Sequence, residues 1–249
     1  MLRKGDMDGA ILEYRHALRL NLNLPSTHNN LGNALFAKGD YDGAIVEYRE
    51  VTRLAPDYAP VRCNLGNALA RTGDLDAALA AYREGLAINS DYVEAHFCLG
   101  TVLFDRGEMD ASIVQYRHAL RLSPNDPDTH YNLGNSLAGK GDIDEAMAEY
   151  REAIRLLPDF ERAHFNLAQL LFSDGALPAA IAGNLEALRL NPDDANTHYR
   201  PGRALAQQGR IEEAIAEYRH AVRLQPNFPE AEACLMKYEL EKPHHEKKT

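Results

Sequence analysis

Side-chain amides recur along this chain, often in pairs whose members lie three residues apart. Three residues are close to one helical turn, so both amides of a pair lie on one face of a helix. An amide offers a donor and an acceptor, and it can therefore bind the peptide groups of an extended polypeptide. Asparagine is a poor helix former, which favours this role over the alternative, capping or bonding between neighbouring elements. The candidate residues are Asn30, Asn33, Asn64, Asn67, Asn132, Asn135 and Asn166.

Paired carboxylates and regularly spaced histidines are the candidates for metal chemistry. The Asp-x-Asp pairs that begin at Asp40, Asp74 and Asp142 lack the third carboxylate, the glycine and the distal glutamate of a calcium loop. Each pair follows a glycine, and capping of a helix explains this placement better. Five histidines, from His28 to His198, lie at least 34 residues apart, too far to share a metal ion. We therefore predict no metal and no cofactor.

The cysteines and the known catalytic motifs also argue against an enzyme. Cys63, Cys98 and Cys234 are odd in number, form no CxxC pair and have no paired base, so we expect free thiols. The chain contains no phosphate-binding glycine loop, no HExxH and no GxSxG. We predict that the protein is not an enzyme.

A 34-residue internal repeat organises these residues. Counting positions from the first residue of each repeat, position 11 is leucine and position 15 is glycine in all six copies. Position 32 is proline in five copies, with Ser90 as the exception. Position 8 carries Gly32, Gly66, Gly100, Gly134, Ala168 and Gly202, and position 24 carries Tyr48, Tyr82, Tyr116, Tyr150, Asn184 and Tyr218.

Each recurring position has a physical role in a pair of helices. Positions 4, 7, 8 and 11 share one helix face, as do positions 17, 20, 24 and 27, so each repeat fits two amphipathic helices. Small residues at positions 8 and 20 let the two backbones approach, while leucine at 11 and tyrosine at 24 fill the seam. Glycine at position 15 suits the left-handed conformation that ends the first helix, and proline at position 32 stops the second. A single pair cannot bury its faces alone, so neighbouring pairs must stack.

This pattern resembles the tetratricopeptide repeat, and the resemblance covers residues 25–228 and the half repeat before them. The resemblance implies an all-α fold, a right-handed superhelical α-solenoid of antiparallel helix pairs, whose first helices line a concave groove. The amides at positions 6 and 9 are similar to the asparagine array in the repeat arm of O-linked N-acetylglucosamine transferases, which holds polypeptide backbones. The usual aromatic residue at position 4 is histidine in five copies here and Arg62 in the other.

Cochaperones of this family hold the C-termini of heat-shock chaperones in a carboxylate clamp that requires two lysines. The matching positions in repeats four to six carry Tyr131, Asn135, Asn166, Asn196 and Arg200, so both lysines are missing. We therefore do not expect the chain to bind chaperone tails.

The repeats predict how the chain is divided. Residues 1–24 match only the second half of a repeat, so we expect the apolar face with Ile11, Tyr14 and Leu18 to be partly uncovered. Either the chain is cut from a longer array, or this face meets another molecule, as in end-to-end self-association through residues 1–24. The six full repeats are 25–58, 59–92, 93–126, 127–160, 161–194 and 195–228, followed by a capping helix at 229–242 and a disordered tail at 243–249.

Aromatic and basic residues accompany the amides on the predicted groove. Arg200 and Arg203 occupy positions 6 and 9 of the last repeat, and we hypothesise that an acidic segment or C-terminal carboxylate of a ligand lies toward them. The alternative is that they belong to an ordinary solvated face. Aromatic residues at position 5 would give a ligand apolar contacts, unless they pack against neighbouring helices. They are Phe97, Tyr131, Phe165 and Tyr199.

Charge and hydropathy limit the partners. The formal net charge is -10 and the sequence pI is near 5.5, without a long basic stripe, so we expect no nucleic acid to bind. No apolar run approaches the length that spans a membrane, and no apolar signal segment follows Met1. These features predict a cytoplasmic protein without membrane contacts.

The leading functional prediction is a non-catalytic scaffold for protein–protein interaction, whose groove binds an extended segment of a protein or peptide partner. One alternative is the substrate-recognition arm of a larger enzyme, such as a glycosyltransferase. The other alternative is a structural module that assembles with itself.

Overall fold

The computed structural model describes residues 4–21 and 23–240. The predicted tail at 243–249 and the last two residues of the predicted capping helix lie outside the described residues. Within these residues the chain forms fourteen α-helices and no strand, and consecutive helices of each unit pack against one another. This arrangement confirms the predicted all-α solenoid of helix pairs. The helices belong to two compact units, the first ending at Gly141 and the second beginning at Asp142.

The first unit contains eight helices: α1 (Lys4–Leu20), α2 (Pro25–Lys38), α3 (Tyr41–Leu54), α4 (Ala59–Thr72), α5 (Leu75–Ile88), α6 (Val93–Asp105), α7 (Met109–Leu122) and α8 (Pro127–Lys140). From α1 to α7, each helix packs against the next one along the chain. The first helices of successive repeats also contact one another, α2 with α4, α4 with α6 and α6 with α8. These four helices therefore share one surface.

The second unit contains the other six helices: α9 (Ile143–Leu156), α10 (Glu161–Ser173), α11 (Leu177–Leu190), α12 (Ala195–Gln207), α13 (Ile211–Leu224) and α14 (Pro229–Leu240). Here too each helix packs against the next. The last helix, α14, covers the outer side of α13 and begins at Pro229, where the sequence places a capping helix.

Glycine and aspartate residues define the turn between the two helices of a repeat. Gly39 follows α2 with a φ of 89°, in the left-handed region that suits glycine. Asp40 then accepts a hydrogen bond from the Gly43 N–H at 3.0 Å and caps α3. Asp74 caps α5 in the same way. Asp142 is an exception to the predicted capping, because its carboxylate makes no capping bond to α9.

The two helices of a repeat meet where a tyrosine ring lies against a glycine. In the second repeat, Gly66 on α4 faces the ring of Tyr82 on α5, which is 1% exposed. A Cβ atom at residue 66 would lie 2.6 Å from the Tyr82 Cε1 atom, much closer than packed carbon atoms approach. The glycine therefore lets the ring lie directly on the backbone of the first helix. The same contact joins Gly32 to Tyr48, Gly100 to Tyr116 and Gly202 to Tyr218.

The N-terminal helix is better covered than its sequence predicts. Ile11 and Leu18 are buried, because α2 packs against their side of α1, and Tyr14 is half-buried. The expectation of an uncovered face is therefore wrong for Ile11 and Leu18. The large exposed apolar side chains of α1 are instead Leu12 and Leu20, at 64% and 77% exposure.

Replacing Gly66 with alanine tests the seam. The added methyl group would overlap the Tyr82 ring, so we expect the free energy of unfolding to fall by about 1–3 kcal/mol. Urea unfolding followed by circular dichroism measures this change.

Gly9→Ala is the matched control for this substitution. Gly9 lies inside α1, and nothing lies within 4 Å of a Cβ atom placed there. Alanine should therefore stabilise the helix by about 0.5–1 kcal/mol, because it loses less backbone entropy on folding. If Gly66→Ala stabilises the protein as Gly9→Ala does, the account of the seam is wrong.

Candidate functional site

The candidate residues of the first unit lie on the surface shared by α2, α4, α6 and α8, here called the amide face. All of them come from positions 5, 6 and 9 of the first four repeats. Two members, Asn30 and Asn33, are exposed, and the others are half-buried. The amide face consists of Asn30, Asn33, Asn64, Asn67, Phe97, Tyr131, Asn132 and Asn135.

Tyrosine hydroxyls from the seam hold two of these amides. The Tyr48 hydroxyl donates to Asn33 Oδ1 at 2.8 Å, and the Tyr82 hydroxyl donates to Asn67 Oδ1 at 2.7 Å. Each bond uses the amide oxygen, which leaves the two N–H donors of the same side chain for other acceptors. The tyrosine that closes the helix pair thus also fixes a polar group on the amide face.

The same amides link neighbouring repeats. Asn64 Nδ2 donates to Asn33 Oδ1 and to Asn29 Oδ1, both at 3.4 Å. The alternative interpretation, bonding between repeats, therefore holds in part for Asn33 and Asn64. Asn30 makes no side-chain hydrogen bond to any other residue that the structure describes. Its complete amide is available to a ligand.

Two aromatic candidates pack against their neighbours but keep part of their surface. The Phe97 ring meets the Tyr116 ring edge-on, with 6.0 Å between centroids. In the second unit, the Tyr199 ring lies 6.0 Å from the Tyr218 ring and 4.9 Å from the Phe228 ring. Both position-5 side chains are half-buried. Both rings therefore pack against neighbouring helices, which is the alternative that the sequence allowed. Each side chain also keeps part of its surface exposed.

The other candidates of the second unit lie on α10 and α12. Asn166 on α10 is half-buried, and its Nδ2 donates to the Tyr150 hydroxyl at 3.5 Å. The guanidinium of Arg200 stacks on the ring of Phe165, the residue next to Asn166, and lies 3.9 Å from the ring centroid. Stacking of this kind holds a cation in place without neutralising its charge.

Arg200 and Arg203 on α12 are the basic residues among the candidate residues of the second unit. Arg200 donates to Gln169 Oε1, and the Arg203 guanidinium lies 4.9 Å from the centroid of the Phe172 ring. Burial, and then the nearby charge of Arg203, lowers the pKa of Arg200. The structure thus brings together the two arginines that the sequence singled out.

The histidines at position 4 connect successive repeats, a role that the sequence analysis missed. His198 Nε2 lies 3.1 Å from the carbonyl oxygen of Pro192 at position 32 of the preceding repeat, and its Nδ1 lies 2.7 Å from Glu217 Oε2. The pattern was visible in the sequence, because a glutamate or glutamine follows the histidine after 19 residues in four repeats. The equivalent contact to the carbonyl oxygen at position 32 measures 2.9 Å at three other histidines, His96, His130 and His164.

Cys63 and Cys98 are free thiols in the first unit. Burial raises the pKa of both thiols to about 12, and the nearby Glu94 carboxylate adds to the effect. Because the thiolate is the nucleophilic form of cysteine, neither residue is activated at neutral pH.

The described part of the chain holds no group of three or more histidine, cysteine, aspartate or glutamate side chains placed to bind a metal ion. None of the helices within residues 4–21 and 23–240 has both the length and the apolar character needed to cross a membrane.

Family models match most of the chain. One described as TPR repeat matches residues 2–39, 32–73, 66–104, 100–141 and 202–235, and one described as tetratricopeptide repeat matches residues 131–195. The chain belongs to the tetratricopeptide-repeat family. Proteins of this family bind protein or peptide partners and are in general non-catalytic scaffolds. No curated protein sequence matches the chain significantly.

Several solved structures share the fold of this chain. YrrB, described as a TPR protein with an unusual peptide-binding site, superposes with a TM-score of 0.67 at 22% identity, over 75% of this chain and 96% of YrrB. The C-terminal part of a TPR repeat-containing protein from Cytophaga hutchinsonii reaches a TM-score of 0.76 at 15% identity, over 92% and 95% of the two chains. MamA reaches 0.62 at 26% identity, over 65% and 95%. The first two likenesses show the fold alone.

The buried tetratricopeptide seams should make the fold sensitive to alkaline pH. Burial raises the pKa of Tyr48 and of Tyr116 to about 12, above the value of about 10 for an unfolded chain. The folded state then keeps a proton that the unfolded state loses, so this stabilisation is complete below pH 10 and is lost as the pH rises toward 12. The free energy of unfolding should fall across that window, by up to about 1.4 kcal/mol per pH unit for each such tyrosine.

Tyr48→Phe isolates one of these groups. Urea unfolding at pH values between about 9 and 11 should show a shallower decline for the variant, because it has one titrating hydroxyl fewer. A decline as steep as that of the wild type would show that the Tyr48 hydroxyl is not buried in its neutral form.

Proposed function

We propose that this protein is a non-catalytic scaffold whose amide face binds an extended segment of a protein partner. The observation that carries the proposal is the hydrogen bond from a seam tyrosine to a position-9 amide oxygen, as between Tyr82 and Asn67. A side chain fixed through its oxygen presents its N–H donors with little rotational freedom left to lose. Such a donor binds a peptide carbonyl at a smaller entropic cost than a free side chain would.

Several amides have to act together. A single hydrogen bond to a ligand contributes about 1 kcal/mol net, which is far too little for specific binding. The amide face offers such groups in successive repeats, at Asn30 and Asn33 on α2, at Asn64 and Asn67 on α4, and at Asn132 on α8. An extended segment exposes its peptide groups at regular intervals, so one partner can meet several of these side chains.

Acidic side chains beside the amide face favour a partner segment with basic residues. A cavity of about 580 Å³ in the first unit is lined by Phe97 and Tyr92 and by the carboxylates of Asp91, Glu94 and Asp128. A lysine or arginine of the partner can place its stem along the aromatic rings and its charge near the carboxylates. This preference agrees with the net charge of -10.

Two other roles remain compatible with the same surfaces. The amide face would serve equally as the recognition arm of a larger enzyme, in which the bound segment is the substrate. The exposed Leu12 and Leu20 on α1 favour an additional end-to-end contact between copies through residues 1–24. The described peptide-binding site of YrrB supports the scaffold proposal by analogy. We also propose a cytoplasmic location, on the evidence of the composition.

Asn33→Asp together with Asn67→Asp tests the amide face. Aspartate keeps an oxygen for the tyrosine hydroxyl but removes the N–H donors, so the fold is retained while binding is lost. Affinity capture from the source lysate should lose specific partners. For an identified partner, the loss of two hydrogen bonds should raise the Kd by about 30-fold.

The matched control is Asn125→Asp together with Asn227→Asp, two exposed loop residues with the same change in charge. This control should keep the wild-type partners, and both variants should keep the wild-type helicity. If the Asn33/Asn67 variant captures the same partners as the control, the amide face is not the binding surface.

A further inference from the structure

The fifth repeat replaces the glycine–tyrosine seam by a different pair, Ala168 and Asn184. At the glycines of the regular seams, an added Cβ atom would lie 2.6–2.8 Å from the tyrosine ring, so alanine and tyrosine cannot occupy the seam together. Asn184 tolerates the alanine but lacks the phenol ring. In this repeat α11 approaches α10 closely at Gly183, the residue before Asn184. A Cβ atom at Gly183 would lie 3.1 Å from the Ala168 Cβ.

A cavity of about 390 Å³ is lined by residues of α10, α11, α12 and α14. Both members of the altered pair line it, and Phe172 and Tyr199 supply apolar walls. Its volume falls in the range of about 300–1,000 Å³ that is usual for small-ligand sites in proteins. The cavity is therefore large enough for a ligand side chain together with ordered water.

Asn184 places its side-chain amide at this cavity. The residue is only 4% exposed, and its side chain makes no hydrogen bond to any other residue within the described chain. Its amide atoms keep accessible surface, because the one sealed side-chain polar atom without a partner among the described residues is Arg62 Nε. The amide of Asn184 is therefore free to bind a polar group of a ligand in the cavity.

Arg200 and Arg203 add positive charge to the same cavity. Among the described residues, no carboxylate lies within ion-pair distance of either guanidinium, whereas Arg189 and Arg219 of the same unit are paired. The one acidic residue that lines the cavity is Glu230, so its side chains carry a net charge of about +1. Burial, followed by the positive charge of Arg203, lowers the pKa of Arg200, in keeping with two cations placed close together.

We propose that this cavity is a binding site for a carboxylate of the partner polypeptide. The carboxylate lies between the guanidinium groups of Arg200 and Arg203, and one of its oxygens accepts a hydrogen bond from Asn184 Nδ2. The arginines stay in place because their stacking on Phe165 and Phe172 leaves N–H donors for the ligand.

This site differs from the lysine-based clamp of cochaperones, because it exists only where the seam tyrosine is missing. It rests on the proposed scaffold function in one respect, namely that a polypeptide supplies the carboxylate. An aspartate or glutamate side chain and a C-terminus are the two possible sources.

Short peptides distinguish the two sources without any knowledge of the natural partner. The first peptide is Gly-Ser-Glu-Ser-Gly with an acetylated N-terminus and an amidated C-terminus, and the second carries glutamine in place of glutamate. The third is the glutamine peptide with a free C-terminal carboxylate. Each is titrated into the full chain to about 10 mM, and nuclear magnetic resonance follows the side-chain N–H signals of Arg200, Arg203 and Asn184.

We expect the wild type to respond to a peptide with a carboxylate and not to the blocked glutamine peptide. A response to the glutamate peptide assigns the site to acidic side chains, and a response to the third peptide alone assigns it to C-termini. Equal shifts with all three peptides, or none with any of them, would overturn the proposal.

Ala168→Gly together with Asn184→Tyr rebuilds the regular seam and fills the cavity while both arginines remain. This variant should bind the responsive peptide at least tenfold more weakly. Unchanged affinity in the folded variant would mean that the arginines act as surface charges and that the cavity has no part in binding.

Arg200→Gln together with Arg203→Gln provides a second variant if the rebuilt seam does not fold. Glutamine keeps a polar chain of similar reach but removes both charges, so the carboxylate response should disappear. If the response persists, the site is wrongly assigned. These measurements do not involve the amide face, so the cavity proposal can fail while the binding of partners through Asn33 and Asn67 stands, and the reverse also holds.

Discussion

In each regular seam, a tyrosine ring from the second helix lies against the backbone of the first helix, and this contact sets the distance between the two. It requires glycine at one exact place, because a single methyl group at Gly66 would overlap the Tyr82 ring. The ring is almost completely buried, so its apolar area contributes to stability, and its hydroxyl must find a partner. Stacking of successive pairs then follows, since a lone pair leaves its outer faces uncovered.

The group that accepts the hydrogen bond of the tyrosine hydroxyl links the packing of the core to the proposed function. On α2 and α4 it is the oxygen of a position-9 asparagine, so the packing of the core determines how a polar group is presented on the surface. In the third repeat, Thr101 takes the place of the asparagine and accepts from Tyr116 at 3.1 Å. Where the tyrosine is lost, at Asn184, the surface carries a cavity with two unpaired arginines instead. The absence of this contact thus sets the fifth repeat apart from the sixth, where Gly202 and Tyr218 keep it.

The sequence predicted the features that depend on periodicity, namely the helix pairs, the glycine turns and the residues on each face. It also placed Asn184 at the tyrosine position and Arg200 among the candidate binding residues, but periodicity alone could not show that a cavity joins them. The burial of Ile11 and Leu18 was missed, because half a repeat gives no information on how closely α2 covers α1. The histidine contacts were missed for a different reason. One acceptor is a backbone carbonyl, which leaves no trace in the pattern of side chains, and the visible signal is limited to the glutamate or glutamine 19 residues after the histidine.

The most direct test of the central claim is a double-mutant cycle between the seam and the amide face. Tyr82→Phe keeps the ring against Gly66 and removes only the hydroxyl, and Asn67→Ala removes its acceptor. Urea unfolding of the wild type, both single variants and the double variant gives the coupling energy between the two side chains. The account predicts a coupling of about 1 kcal/mol, the net worth of one hydrogen bond. A coupling near zero would mean that the tyrosine does not hold the amide, and that core packing and surface chemistry are independent.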